Sequence, residues 1–315
     1  MNIKLLSELL SINSYSGYEF IMLSYIQDYA LKINEKLKIK RENEWLEISN
    51  STNNSKDIIF VIHVDEVGFQ LIEKKDHQYL LNPIGSPINI TYLGAIAVVE
   101  DIVGLVSIKS EVDLYGNDLI PLNLYFKTSF KSKELNKKPL YFKNQFNVND
   151  KEVIGKGLDN KVGIYLALEI LPTIIKSNLN ITLLFTTQEE IRNCKYPDFL
   201  FDSKNLICID AFSTIEDDCH SGGGSVISFS PNYSLSKSQK FINELNKEKI
   251  SYQLSLVNNK TGTEIDIISN DIRNKNIPYI IFSYPTSFMH SLNEVVLVND
   301  INCVYNSLIS YIENI

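Results

Sequence analysis

Two histidines and several carboxylates stand where apolar runs end, and those are the residues whose types and spacing could do chemistry. His63 lies near the end of DIIFVIHV at 57–64 with Asp65 just beyond it, and Glu189 and Glu190 follow ITLLFTT at 181–187. Asp210 ends the run LICID, His290 comes shortly after YIIFS, and Asp159 stands ahead of a helical stretch. Each has an ordinary explanation when taken alone. His63 with Asp65 can be a polar strand end, and the paired glutamates a solvated loop. Asp159 with Asn160 can cap a helix, Asp210 a turn, and His290 can be a hydrogen-bonded core residue. Together they are harder to explain this way, because uncompensated polar groups gathered beside apolar strands are costly. A bound cation removes that cost.

The donor set, imidazoles and carboxylates without thiolate, suits Zn, Co or Mn in an open hydrolytic site rather than a closed structural zinc. It holds more carboxylates than one ion needs, so two divalent metal ions per subunit are expected. Asp159 would bridge them, with His63 and Asp210 on one side and Glu190 and His290 on the other. Glu189 is then free to act as a general base beside the activated water. Asp65, two residues from His63, is placed to orient that imidazole.

The elements that must position these residues alternate between helix and strand, which predicts an α/β fold with a mostly parallel sheet flanked by helices. In open α/β sheets ligands bind beyond the carboxyl ends of the strands, where the candidates collect. Strands are expected at 57–64, 181–187, 206–210, 226–230, 252–257 and 279–283, with a polar strand near 38–49. Helices are expected near 3–12, 18–35, 161–171, 236–248, 264–275 and 300–313, with Pro172 kinking or ending the third. Between 70 and 153 short strand-like runs are punctuated by Gly and Pro, which predicts an inserted all-β domain. The division is thus 1–69 plus 154–315 for the chemistry and 70–153 for the insert.

The 315 residues are 44% hydrophobic, enough for a sizeable core, and the formal net charge of −8 argues against a nucleic-acid partner. The longest basic stretch, 127–138, carries Glu134 and reads as a solvated loop. Four cysteines without paired spacing fit a reducing, cytoplasmic compartment. Glu8 interrupts the first apolar stripe, so no signal peptide is expected, and no run is long enough to span a membrane.

Five blocks of this sequence resemble a known family, the two-metal glutamyl and leucyl aminopeptidases that assemble as tetrahedral (TET) dodecamers, some carrying the older label of cellulase or endoglucanase. They are HVDEVGF at 63–69, GKGLDNKVG at 155–163, TTQEEI at 186–191, ICIDAF at 207–212 and PTSFMHSLNEVV at 285–296. The resemblance implies His63, Asp159, Glu190, Asp210 and His290 as metal ligands, Glu189 as general base and Asp65 as the partner behind the ligands. It also implies a two-metal exopeptidase fold, short peptide substrates and a homo-oligomer, with a dodecamer as the family form and the insert contributing to assembly or substrate access. Ile191 to Cys194 replace the family's glycine-rich turn, Ser287 replaces an arginine, and Glu264 stands where the G-T-D segment has aspartate. A related deacylase or carboxypeptidase, a glycosidase, and a catalytically impaired metal-binding homologue are the alternatives. CHSGGG at 219–224 reads as a flexible loop near the cleft, and His77 as a surface residue.

Overall fold

A computed structural model describes residues 1–50, 57–75, 78–108, 123–129, 135–143, 146–214, 219–256 and 260–314. At the centre of its larger sheet run four parallel strands, in the spatial order Ile181–Thr186, Ile58–His63, Asn205–Ser213 and Tyr279–Ser287. The first two are buried at every position, as strands covered on both faces must be, and their sequences are accordingly near-continuous apolar runs. Toward the margins the pairing turns antiparallel. Trp45–Ser49 and Lys38–Arg41 form one margin, so the polar strand expected near 38–49 is a hairpin. Glu294–Leu297, Glu152–Gly155 and Asn147–Val148 form the other. Ser225–Phe229 joins Tyr279–Ser287 on a branch, with Tyr252–Leu254 parallel beyond it.

Helices cover this sheet, and one of them is itself enclosed. Leu158–Glu169 is buried at every residue from Leu158 to Leu168, packed on two central strands and against the helices Ile3–Ser11 and Val298–Asn314. A helix covered all round offers Lys161 no route to water, so the ammonium needs an internal partner. Glu66 supplies it: Lys161 Nζ lies 3.0 Å and Lys156 Nζ 2.8 Å from the same Glu66 Oε2. The helix stops at Glu169, and Leu171–Lys176 starts afresh with Pro172 in its first turn, where the missing N–H costs nothing. Glu264–Asn270 is shorter than its apolar pattern predicts. Asp271 ends it by accepting the backbone N–H of Arg273 at 2.9 Å, a local turn that competes with the helix.

The second sheet is antiparallel throughout among the described residues, where its six strands run in the order Gly68–Lys75, Gln78–Ile84, Leu124–Lys127, Ile102–Ile108, Ile96–Val99 and Tyr141–Phe142. It encloses a core of its own around Phe69, Tyr92, Phe126 and Phe142. His77 and part of the basic stretch 127–138 lie outside the described residues. No helix among the described residues is long and apolar enough to cross a membrane.

Candidate metal centre

Adjacent strand ends bring the candidate residues together. His63 is the last residue of its strand and pairs in register with Thr186, so Glu189 and Glu190 leave the neighbouring strand just beyond it. Asp210 lies on Asn205–Ser213, and His290 three residues past the end of Tyr279–Ser287. Asp159 enters from the enclosed helix, at a point where it and Asn160 leave helical backbone angles and the peptide between them is cis.

Among the described residues two groups of donor atoms form, and they share Asp159. His63, Asp159 and Asp210 make one, and Asp159, Glu190 and His290 the other. His63 Nε2 is 3.2 Å from Asp159 Oδ1 and 3.3 Å from Asp210 Oδ1. His290 Nε2 is 3.4 Å from Asp159 Oδ2 and 3.3 Å from Glu190 Oε2. Tetrahedral coordination with bonds of about 2.0–2.1 Å sets donors about 3.3–3.4 Å apart, so both groups have the spacing of a ligand shell. Asp159 Oδ1 and Glu190 Oε1 are buried without a hydrogen bond, which costs free energy unless something else satisfies them. A pair of divalent cations fits these residues on both counts, and Glu189 belongs to neither group.

Charge is crowded here. Burial pushes Glu189 well above the ordinary glutamate range, against the pull of His63 and with help from Asp210 and Glu190. Burial likewise pushes Glu190 up to about 7, and it also raises Asp210. At Asp159 burial acts in the same direction, but the imidazoles of His290 and His63 outweigh it and hold the carboxyl low. Burial disfavours the imidazolium form of both histidines, yet the facing carboxylates raise His63 well above its usual value and His290 to about 11.

Behind the donors lie carboxylates that grip backbone rather than cations. Asp65 accepts the N–H of Glu189 at 3.0 Å and of Glu190 at 3.1 Å, and the Ser16 hydroxyl at 2.6 Å. It meets His63 Nδ1 through its backbone carbonyl at 3.2 Å, closer than its carboxylate at 3.5 Å. Glu294 accepts the N–H of Asp159 at 3.2 Å and of His290 at 2.8 Å. Glu19 accepts the N–H of Gln188 at 3.2 Å. Gln188 and His290 have φ of +62° and +63°, a region costly for residues bearing a Cβ, and these carboxylates are what hold them there.

Sequence reasoning missed Ser16, Glu19 and Glu294 as supports, although Glu294 stands inside the quoted block 285–296. The signal available for it was a buried acid four residues from a candidate ligand. The loop at 219–224 is tied rather than free: Gly222 and Gly224 donate to Asp300 at 2.7 and 2.9 Å. Ser287 bonds to the hydroxyls of Thr214 and Ser221, each at 3.2 Å.

All five donor residues and Glu189 line one cleft of about 420 Å³, walled on its apolar side by Ile88, Phe212 and Met289. Acids and imidazoles gathered in a cleft at the carboxyl edge of a parallel sheet suit metal-assisted hydrolysis. The chain belongs to the M42 glutamyl aminopeptidase family, whose sequence model matches residues 46–306, and is by class a peptidase. Its fold is shared with an aminopeptidase from the archaeon Desulfurococcus kamchatkensis, at a TM-score of 0.84 and 20% identity over 99% of this chain and 94% of that one. The TET1 peptidase of Pyrococcus horikoshii, which can assemble into a tetrahedron or a large octahedral shell, superposes at 0.75 with 20% identity over 99% of each chain. An endoglucanase from Thermotoga maritima gives 0.74 and 17% identity over 98% of this chain and 96% of that one. No curated protein sequence matches the chain.

Proposed function

We propose that this protein is a metal-dependent aminopeptidase that removes the N-terminal residue from short peptides, with two divalent cations, Zn, Co or Mn, held by His63, Asp159, Glu190, Asp210 and His290. The observation that carries the reading is Asp159, which turns one carboxylate oxygen toward each of two donor groups on the floor of a single cleft. Cations bound there supply Lewis acidity and a lowered water pKa. Glu189, half-buried and with raised proton affinity, takes the proton from the attacking water and passes it to the departing amine. Asp65 and Glu294 keep the backbone of Glu189, Glu190, Asp159 and His290 in place during that exchange.

The same reading takes residues 1–69 plus 154–315 as the catalytic unit and 70–153 as an insert serving assembly or substrate access. A homo-oligomer, with a dodecamer as the expected form, is supported by solved TET1 peptidase structures, one a dodecamer and one able to assemble into a tetrahedron or a large octahedral shell. Four free cysteines support a cytoplasmic location.

The test is hydrolysis of aminoacyl chromogenic substrates by chelator-stripped protein resupplied with Zn, Co or Mn. Metal-restored release is expected, and Glu189→Gln should lower kcat by about 10²–10⁴-fold while metal content is kept. Cleavage only of N-blocked or C-terminal residues would assign a deacylase or carboxypeptidase instead. Metal uptake without turnover of any substrate would assign an impaired homologue.

A further inference from the structure

The cleft is electrically lopsided. Asp159, Glu189, Glu190 and Asp210 crowd its floor, and among the described residues the one lysine or arginine on its lining is Arg192. Arg192 also lines an adjoining hollow of about 430 Å³, where Lys260 is a second cation. The acid in that hollow, Asp266, is already engaged: it accepts from the N–H of Thr261 at 2.7 Å, the Thr261 hydroxyl at 2.9 Å and the N–H of Gly262 at 3.1 Å. Among the described residues neither Arg192 nor Lys260 has an ion-pair partner. Arg192 thus stands between the acidic cleft and a hollow that holds a second cation, Lys260.

The position of Arg192 is set by the catalytic turn itself. Its N–H donates to the Glu189 carbonyl at 2.7 Å, and its φ of +53° is one that favours glycine. An arginine therefore occupies a conformation that glycine would adopt more easily, two residues after Glu190. A short peptide in water is a zwitterion whose charged ends are separated by at most about 3.3–3.6 Å per residue. Its amino end belongs at the cleft floor under the proposed function, which leaves its carboxylate toward Arg192.

We infer that Arg192, with Lys260 beyond it, forms a subsite for a carboxylate of the peptide substrate on the far side of the scissile bond from the amino end. The inference rests on the aminopeptidase reading and narrows its substrates to short peptides with a free C-terminal or acidic side-chain carboxylate in reach of the guanidinium. Arg192 is exposed and, among the described residues, bonded only through its backbone, so Arg192→Gln leaves the fold intact; a thermal melt checks this.

The experiment compares kcat/KM for alanine release from Ala-Ala-Ala, its C-terminal amide, Ala-Glu-Ala amide and Ala-Gln-Ala amide, in the wild-type protein and in Arg192→Gln. The free acid should be preferred over its amide by about fivefold, mainly through KM, and the preference should fade at high salt. In Arg192→Gln the ratio should fall to about one. A preference confined to the glutamate peptide and lost in Arg192→Gln would assign the same subsite to a side-chain carboxylate. Equal rates on all four peptides in wild type, or a preference that Arg192→Gln leaves intact, would overturn the subsite and leave the aminopeptidase reading standing. Failure to cleave any of them would overturn both.

Discussion

Glu294 offers no donor atom to either group, yet both N–H groups it accepts belong to residues that do, Asp159 and His290. Loss of such a support typically weakens metal affinity about 10–100-fold. Glu294→Ala should therefore lose metal at concentrations where the wild type retains it, as read by metal content after dialysis; a folded variant with undiminished metal content would refute the role. Glu264 makes a different prediction. Burial pushes it up to about 7 from 4.5, against the pull of His63 and Thr186. As pH rises across that window the unfolded chain gives up the proton while the folded protein keeps it, so stability is lost with increasing pH. In metal-free protein Glu264→Gln should be more stable than wild type by about 2–3 kcal/mol at pH 8, with the gain vanishing near pH 4. An equal gain at both pH values would rule this out. Donor residues were legible in the sequence because four of them follow or end apolar runs and Asp159 stands at the start of an apolar helix. Ser16 and Glu19 were not, since their role depends on a contact with Asp65 or Gln188 that no local pattern announces.

The enclosed helix Leu158–Glu169 depends on a junction at Gly157. Gly157 has φ +68°, and a Cβ there would lie 2.0 Å from Glu66 Oε2, the oxygen that Lys156 and Lys161 share. Gly157→Ala should cost about 3–5 kcal/mol by displacing that carboxylate from its buried partners, visible as a large fall in Tm. A change within 1 °C would show that the junction relaxes without disturbing Glu66. The central strands could be read from the sequence because an apolar β-branched run has few other uses. The antiparallel margins were less legible: Glu294–Leu297 is four residues long, too short to carry a period. The same holds for the helix at 264–275, whose apolar spacing continues after Asp271 has turned the chain away.

Across the whole molecule, the cleft gathers more carboxylates than imidazoles, and that excess should make the fold sensitive to its cations. Ligands bound only by the folded state stabilise it by about 2.7 kcal/mol at a hundred times Kd, so chelation should lower Tm by several degrees and added Zn, Co or Mn restore it. An unchanged melt on stripping, with metal loss verified, would contradict the two-cation reading. The second, antiparallel sheet was expected from a change of texture between 70 and 153; its strands run from Gly68 to Phe142, whereas Asn147–Val148 and Glu152–Gly155 pair into the larger sheet. How the cleft's charge is distributed was not legible in the sequence, because Arg192 and Asp266 come within reach of one hollow only after folding. The supports and donors of the site run from Ser16 to Glu294, nearly the whole chain. During synthesis, at about 5–20 residues per second, a growing polypeptide stays without a finished active site until its last strand has left the ribosome. A nascent peptidase built this way cannot trim its neighbours, or itself, before it is whole.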